Sequence, residues 1–242
     1  AKSIRNVPYS VYAQMEIMDH NGKYKTLVDA FKDADIAAWP EEIAAEGFYL
    51  RASAFGRTGQ DPHAGIRDLE ECVKRFNPEE REWIHSASWL GARYTKIGEH
   101  DRALKRYRET LAVLDKGILW TGSSYHARMV QRTVEVREKL NKYDEAIRLI
   151  NEQNEKINEK RLSDSIWWRR ALLMKAGDVY AERDQPDKAV AAYRKAIAYN
   201  EQYIADPEHK SENMKRKMAY DNRRMKKKIE TIRQAKNTKD TE

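Results

Sequence analysis

Apolar positions recur at helical spacing along nearly the whole chain, and short polar turns interrupt them at similar distances. Five segments share the same punctuation: HNGKYKTLVDAF (20–31), RTGQDPHAGIRDL (57–69), KIGEHDRALKRY (96–107), KLNKYDEAIRLI (139–150) and ERDQPDKAVAAY (182–193). Gly22, Gly59, Gly98, Asn141 and Asp184 are the equivalent turn positions. Glycine, asparagine and aspartate tolerate the left-handed backbone that ends a helix. Pro62 and Pro186 fall where the next helix starts, a position that accepts proline. The spacing predicts ten helices in five antiparallel hairpins, then an eleventh helix at about 211–236. Breaks between hairpins are expected at 37–42, 76–80, 115–122, 161–165 and 205–211, where Asp and Ser suit N-caps. The expected class is all-α, an α-solenoid of about five hairpins over residues 1–208, followed by a basic capping helix and tail at 209–242.

A second register supports the hairpins. Five residues after each turn stand Leu27, Ala64, Ala103, Ala146 and Ala189, mostly small residues that let two helices approach. Four residues further on stand Phe31, Asp68, Tyr107, Ile150 and Tyr193, with Asp68 the departure. Seven residues before each turn stand Met15, Ala52, Gly91, Val134 and Gly177. Glycine inside a helix costs about 1 kcal/mol relative to alanine. Gly91 and Gly177 are therefore expected at helix–helix contacts, which repay that cost by close packing.

The stretches WLGARYTKIGEHDRALKRY and KAGDVYAERDQPDKAVAAYRKAI resemble tetratricopeptide repeats, through Leu90, Gly91, Tyr94, Gly98, Ala103 and Tyr107, and through Gly177, Tyr180, Ala189, Tyr193 and Ala196. The copy at 139–150 matches through Leu140, Tyr143 and Ala146, and the whole resemblance covers roughly 8–205. The family repeats every 34 residues. Here the equivalent positions are spaced 37, 39, 43 and 43, so helices or connections are longer.

Composition narrows the picture. The 242 residues are 40% hydrophobic and 35% charged, with 13 Tyr and 6 Trp spread along the chain, which suits helices with one wet face. No apolar run approaches the 18 residues of a membrane span. The formal charge is +7, and residues 209–242 carry all of that excess, with 12 Lys/Arg against 5 Asp/Glu. The chain begins at Ala1 rather than Met, which fits either a removed secretory signal or a cloning boundary. A soluble protein is expected, exported or cytoplasmic.

Candidate chemistry is sparse. GRTGQD (56–61) lacks the Lys-Ser/Thr of a phosphate-binding loop, and no G-x-G-x-x-G occurs. His20, His63, His85, His100, His126 and His209 stand outside helical reach of each other, so neither a metal site nor a base–nucleophile pair is expected. Cys72, the single cysteine, is expected in the core. The tryptophans Trp39, Trp83, Trp89, Trp120, Trp167 and Trp168 are expected mainly to pack between repeats. No enzyme activity, cofactor or metal is expected.

The resemblance implies that the first helix of each hairpin lines an inner groove. Carried over, its groove positions are Tyr9, Tyr12 and Glu16, then Tyr49 and Ser53, then His85, Ser88 and Ala92, then Arg128, Gln131 and Glu135, and last Met174 and Asp178. One subtype grips carboxylate termini with Lys and Asn there. Glu16, Ser53, Ala92, Glu135 and Asp178 stand in those places instead, so that clamp is absent. The expected function is a scaffold that binds a peptide or helix of another protein. The alternative is a small-ligand or polymer binder using Trp and Tyr.

The segment 211–236 carries Met214, Met218, Met225, Ile229 and Ile232 at intervals of 4, 7, 4 and 3, one helical stripe among Lys and Arg. It is expected to cover the open end of the fifth hairpin. Membrane or nucleic-acid contact by its basic face is the competing reading.

Overall fold

All five turn positions adopt the left-handed backbone: φ is +67° at Gly22, +73° at Gly59, +83° at Gly98, +56° at Asn141 and +52° at Asp184. The computed structural model describes residues 7–116, 124–160, 165–208 and 211–239. In it the turns join α1 (Val7–His20) to α2 (Tyr24–Phe31), α3 (Glu41–Thr58) to α4 (Pro62–Arg75), and α5 (Arg81–Lys96) to α6 (His100–Asp115). They likewise join α7 (Ser124–Lys139) to α8 (Tyr143–Lys160), and α9 (Ser165–Glu182) to α10 (Pro186–Ala205). The last helix, α11, runs Glu212–Lys239, and a 3-10 turn occupies Ile36–Ala38. Among the described residues there are eleven α-helices and no strand. The fold is all-α, a solenoid-type array of helix hairpins. Of the breaks expected at 115–122 and 161–165, residues 117–122 and 161–164 lie outside the described residues.

Pro62 and Pro186 each open their helix as expected, and the Asp61 carboxylate caps α4 by accepting the Ala64 N–H at 2.9 Å. The Asp/Ser caps expected in the inter-hairpin breaks are realised at Ser211, whose Oγ accepts from Met214 N at 3.4 Å. The breaks before α3 and α5 hold neither Asp nor Ser, and these helices begin after Pro40 and Glu80 without a side-chain cap. Acidic side chains in the first turn, Glu41 and Glu42 in α3 and Glu82 in α5, complement the helix dipole there instead.

The chain divides into two units, Ala1–Leu119 and Trp120–Glu242. In the first, Met15, Leu27, Val28, Ile36, Phe48 and Phe55 form the core, and Cys72 joins them with no exposed surface. The Cys72 thiol donates to the Ala45 carbonyl at 3.6 Å, and burial pushes its pKa up, so it is an inert packing group. Asp68, the departure from the aromatic register, is 4% exposed and takes a two-pronged bond from Arg51, with Nε and Nη2 each 2.8 Å from a carboxylate oxygen. Arg51 Nη1 also donates to the carbonyls of Phe31, Lys32 and Ala34, where α2 ends. An ion pair thus replaces the aromatic contact and satisfies the terminus of the short helix α2.

In the second unit, α11 lays its apolar stripe on α10. Met218, Met225 and Ile229 are buried against Ala189, Tyr193, Ala196 and Ile197, with Ile232 at the margin. Asn200 of α10 donates to Asn222 at 2.5 Å and to the Met218 carbonyl at 3.3 Å. The Arg170 guanidinium of α9 is paired with Asp221 of α11, both buried.

Candidate functional site

The first helices α1, α3 and α5 of the first unit bring Tyr9, Tyr12, Tyr49 and His85 of the expected positions onto one face, through contacts between the helices. The Tyr9 hydroxyl donates to Glu42. The Tyr12 hydroxyl lies against Glu46 and, at 2.8 Å, Glu16. Burial, then its bonds to Glu46 and Glu16, hold the Tyr12 phenol well above its ordinary pKa. This end of the face is therefore acidic and hydrogen-bonded, with Glu16, Glu42 and Glu46 exposed.

Toward the middle the face becomes aromatic. Tyr49 of α3 stacks on Trp89 of α5, ring centroids 5.4 Å apart and planes 11° from parallel. His85, one turn before Trp89, lies 6.2 Å from the same indole at 22° and is hydrogen-bonded to the Tyr49 hydroxyl through Nδ1 at 3.3 Å. Phe76 meets Tyr49 edge-on at 6.5 Å. Ser53 and Ser88 are buried, so they lie beneath this shelf rather than on it.

Beyond the shelf the face turns small and then basic. Ser53, Gly56 and Ala92 floor a cavity of about 310 Å³, with Trp89 as one wall and Arg57, Arg93 and Lys96 around it. A terminal guanidinium nitrogen of Arg93 stands 2.2 Å from where a Cβ on Gly56 would be, so Gly56 makes the room Arg93 occupies.

The second unit places its expected residues differently. Arg128 and Glu135 of α7 are exposed and Gln131 is half-buried. Met174 of α9 is half-buried and packs beside the α10–α11 core. Asp178 accepts from the Tyr193 hydroxyl and from Lys228 of α11, both at 2.5 Å, so it fastens the last helix. Lys175 is paired with Glu138 at 2.6 Å.

Sequence reasoning missed Trp89 and the three cations as members of this face. The signal was present for Trp89: it stands four residues after His85 and three before Ala92, on the same helical stripe. The other described tryptophans pack as expected. The Trp83 Nε1–H donates to the Val73 carbonyl at 3.2 Å, and the Trp39 ring lies on Gly47. Trp120 and the side chains of Trp167 and Trp168 lie outside the described residues. Among the described residues, no three His, Cys, Asp or Glu side chains converge as a metal site would need.

Paired helices, left-handed turns and a Gly–Tyr contact repeated between first and second helices define an array of helix hairpins. Residues 171–201, covering most of α9 and α10, match the tetratricopeptide repeat family model. The fold is similar to the crystal structure of the nearly identical TPR-like repeats of a protein assigned as a kinesin light chain from Podosopora anserina, with TM-score 0.62 at 14% identity, over 84% of this chain and 99% of that one. It is also similar to MamA, with TM-score 0.61 at 17% identity over 84% and 96% of the two chains. BtubC (BKLC) from P. vanneervenii gives TM-score 0.54 at 15% identity over 96% and 92%. No curated protein matches the sequence. No helix of the described residues is long and apolar enough to cross a membrane.

Proposed function

We propose that the chain is a non-enzymatic protein-interaction scaffold, and that the face of α1, α3 and α5 binds a peptide or a helix of its partner. The observation that carries this reading is the Tyr49–Trp89–His85 shelf beside an open cavity. A half-buried aromatic cluster on the first helices is what an interface hot spot needs: rigid contact area ringed by polar groups. The packing of Trp39 and Trp83 weakens the alternative of a polymer-binding platform, which would need several presented rings.

The test is a set of alanine substitutions at Tyr49, His85 and Trp89, with circular dichroism to show that the helices persist. Partner capture from the native extract should fall at least tenfold for Trp89→Ala. Unchanged capture would move the interface to another face or to α11. Turnover by the purified protein, abolished by one side-chain change, would overturn the non-enzymatic part.

A further inference from the structure

The cavity between α3 and α5 has an electrostatic character that the shelf alone does not explain. Arg57, Arg93 and Lys96 line it, and no acidic side chain does. Arg57 lies over the Tyr24 ring at 4.8 Å and faces Asp19, so part of its charge is already answered. Arg93 and Lys96 are not: among the described residues no carboxylate pairs with either. Arg93 is half-buried, and its surroundings desolvate it. A partly desolvated guanidinium gains most from an anionic acceptor, which it binds with two parallel bonds.

The charge is also local. At the other end of the same face, Glu16, Glu42 and Glu46 are exposed. From Glu46 to Arg57 along α3 is 11 residues, about 16 Å at 1.5 Å per residue. A nucleic-acid strand carries phosphates throughout its length and would run into those carboxylates. The face suits a short segment with its negative charge at one end only.

We propose that the cavity between α3 and α5 is a subsite for an Asp or Glu side chain of a bound peptide, whose neighbouring aliphatic or aromatic residue lies on the Tyr49–Trp89 shelf. This rests on the scaffold reading above and names the chemistry of its partner. The carboxylate meets Arg93 and Lys96; Gly56 gives Arg93 its place, and the small side chains of Ser53 and Ala92 leave room beside it.

Selection of a random dodecapeptide phage library on the full chain tests this. It is run in parallel on wild type, Arg93→Gln/Lys96→Gln and Trp89→Ala, with titration calorimetry of the enriched peptides. The expected result is enrichment of Asp or Glu within two residues of an aliphatic or aromatic side chain. Affinity should fall at least tenfold in Arg93→Gln/Lys96→Gln. Gly56→Ala keeps every charge but displaces the Arg93 guanidinium, and it should weaken the same peptides several-fold even if the double variant proves unstable. Acidic peptides that bind the double variant and Gly56→Ala as tightly as wild type would be held away from the cavity and would overturn the subsite. Absence of any acidic enrichment would overturn it too. Acid-free peptides lost only in Trp89→Ala would overturn the acidic subsite while leaving the scaffold reading intact. Peptides insensitive to every variant would count against both.

Discussion

The Tyr107 ring lies directly on Gly91: a Cβ built on the glycine would stand 2.4 Å from the Tyr107 Cε1. Tyr193 repeats the contact on Gly177, at 2.5 Å. Both rings are almost fully buried, and ring and helix are rigid neighbours. Gly91→Ala and Gly177→Ala should therefore each destabilise by about 1–3 kcal/mol through overpacking, despite the gain in helix propensity. Urea unfolding checks this. Adding Tyr107→Leu to Gly91→Ala should recover part of the loss.

That contact was readable because it repeats at one offset, as were the five turns, whose chemistry is local to one residue. The Arg51–Asp68 pair was not: Asp68 looked like a lapse in the register, and its partner stands 17 residues away on a different helix. The bond of Asp178 to Lys228 was not readable either, because the path of α11 across α9 and α10 is not written in the local pattern. The cations around the small cavity read as ordinary last-turn residues, since Lys and Arg favour helix C-termini on dipole grounds alone. Only the approach of α3 to α5 shows that Arg57, Arg93 and Lys96 share a space.

Asp68→Ala should cost about 3–5 kcal/mol, because it strands a buried guanidinium. The double variant Arg51→Met/Asp68→Leu should recover part of that, but not all. It leaves the carbonyls at the end of α2, which Arg51 serves, without their donor. A double-mutant cycle in chemical denaturation measures both terms.

Stability should fall at alkaline pH. Burial, then hydrogen bonds to Glu70 and to Asp178, raise the pKa of Tyr94 and of Tyr193 respectively, so both phenols stay protonated in the fold. In the unfolded chain they ionise near pH 10. Above that pH the unfolded state binds fewer protons than the native one. The contribution of these groups is therefore complete below about pH 10 and is lost as pH rises further. Tyr94→Phe and Tyr193→Phe should each be less stable at neutral pH, and their stability should decline less steeply between pH 9 and 11. A decline as steep as that of wild type would place the alkaline sensitivity elsewhere.

The basic helix can be tested by cutting the chain after Glu208. If α11 is a cap, the cut removes Met218, Met225 and Ile229 and exposes the α10 side chains they cover, Tyr193 and Ile197 above all, at roughly 1.5–3 kcal/mol for each large side chain. It also strands Arg170, whose partner Asp221 is removed with the helix. Residues 120–208 should then unfold at lower temperature and aggregate, as a repeat array does when its polar end is removed. Point substitutions separate the two faces of the same helix. Met225→Ala should cost about 2–5 kcal/mol. Arg223→Gln, on the exposed side, should stay within about 0.5 kcal/mol. A truncated chain that melts like the full one, or an Arg223→Gln as costly as Met225→Ala, would end the cap assignment. The excess positive charge of α11 would then be its reason for being there, and anionic surfaces its target.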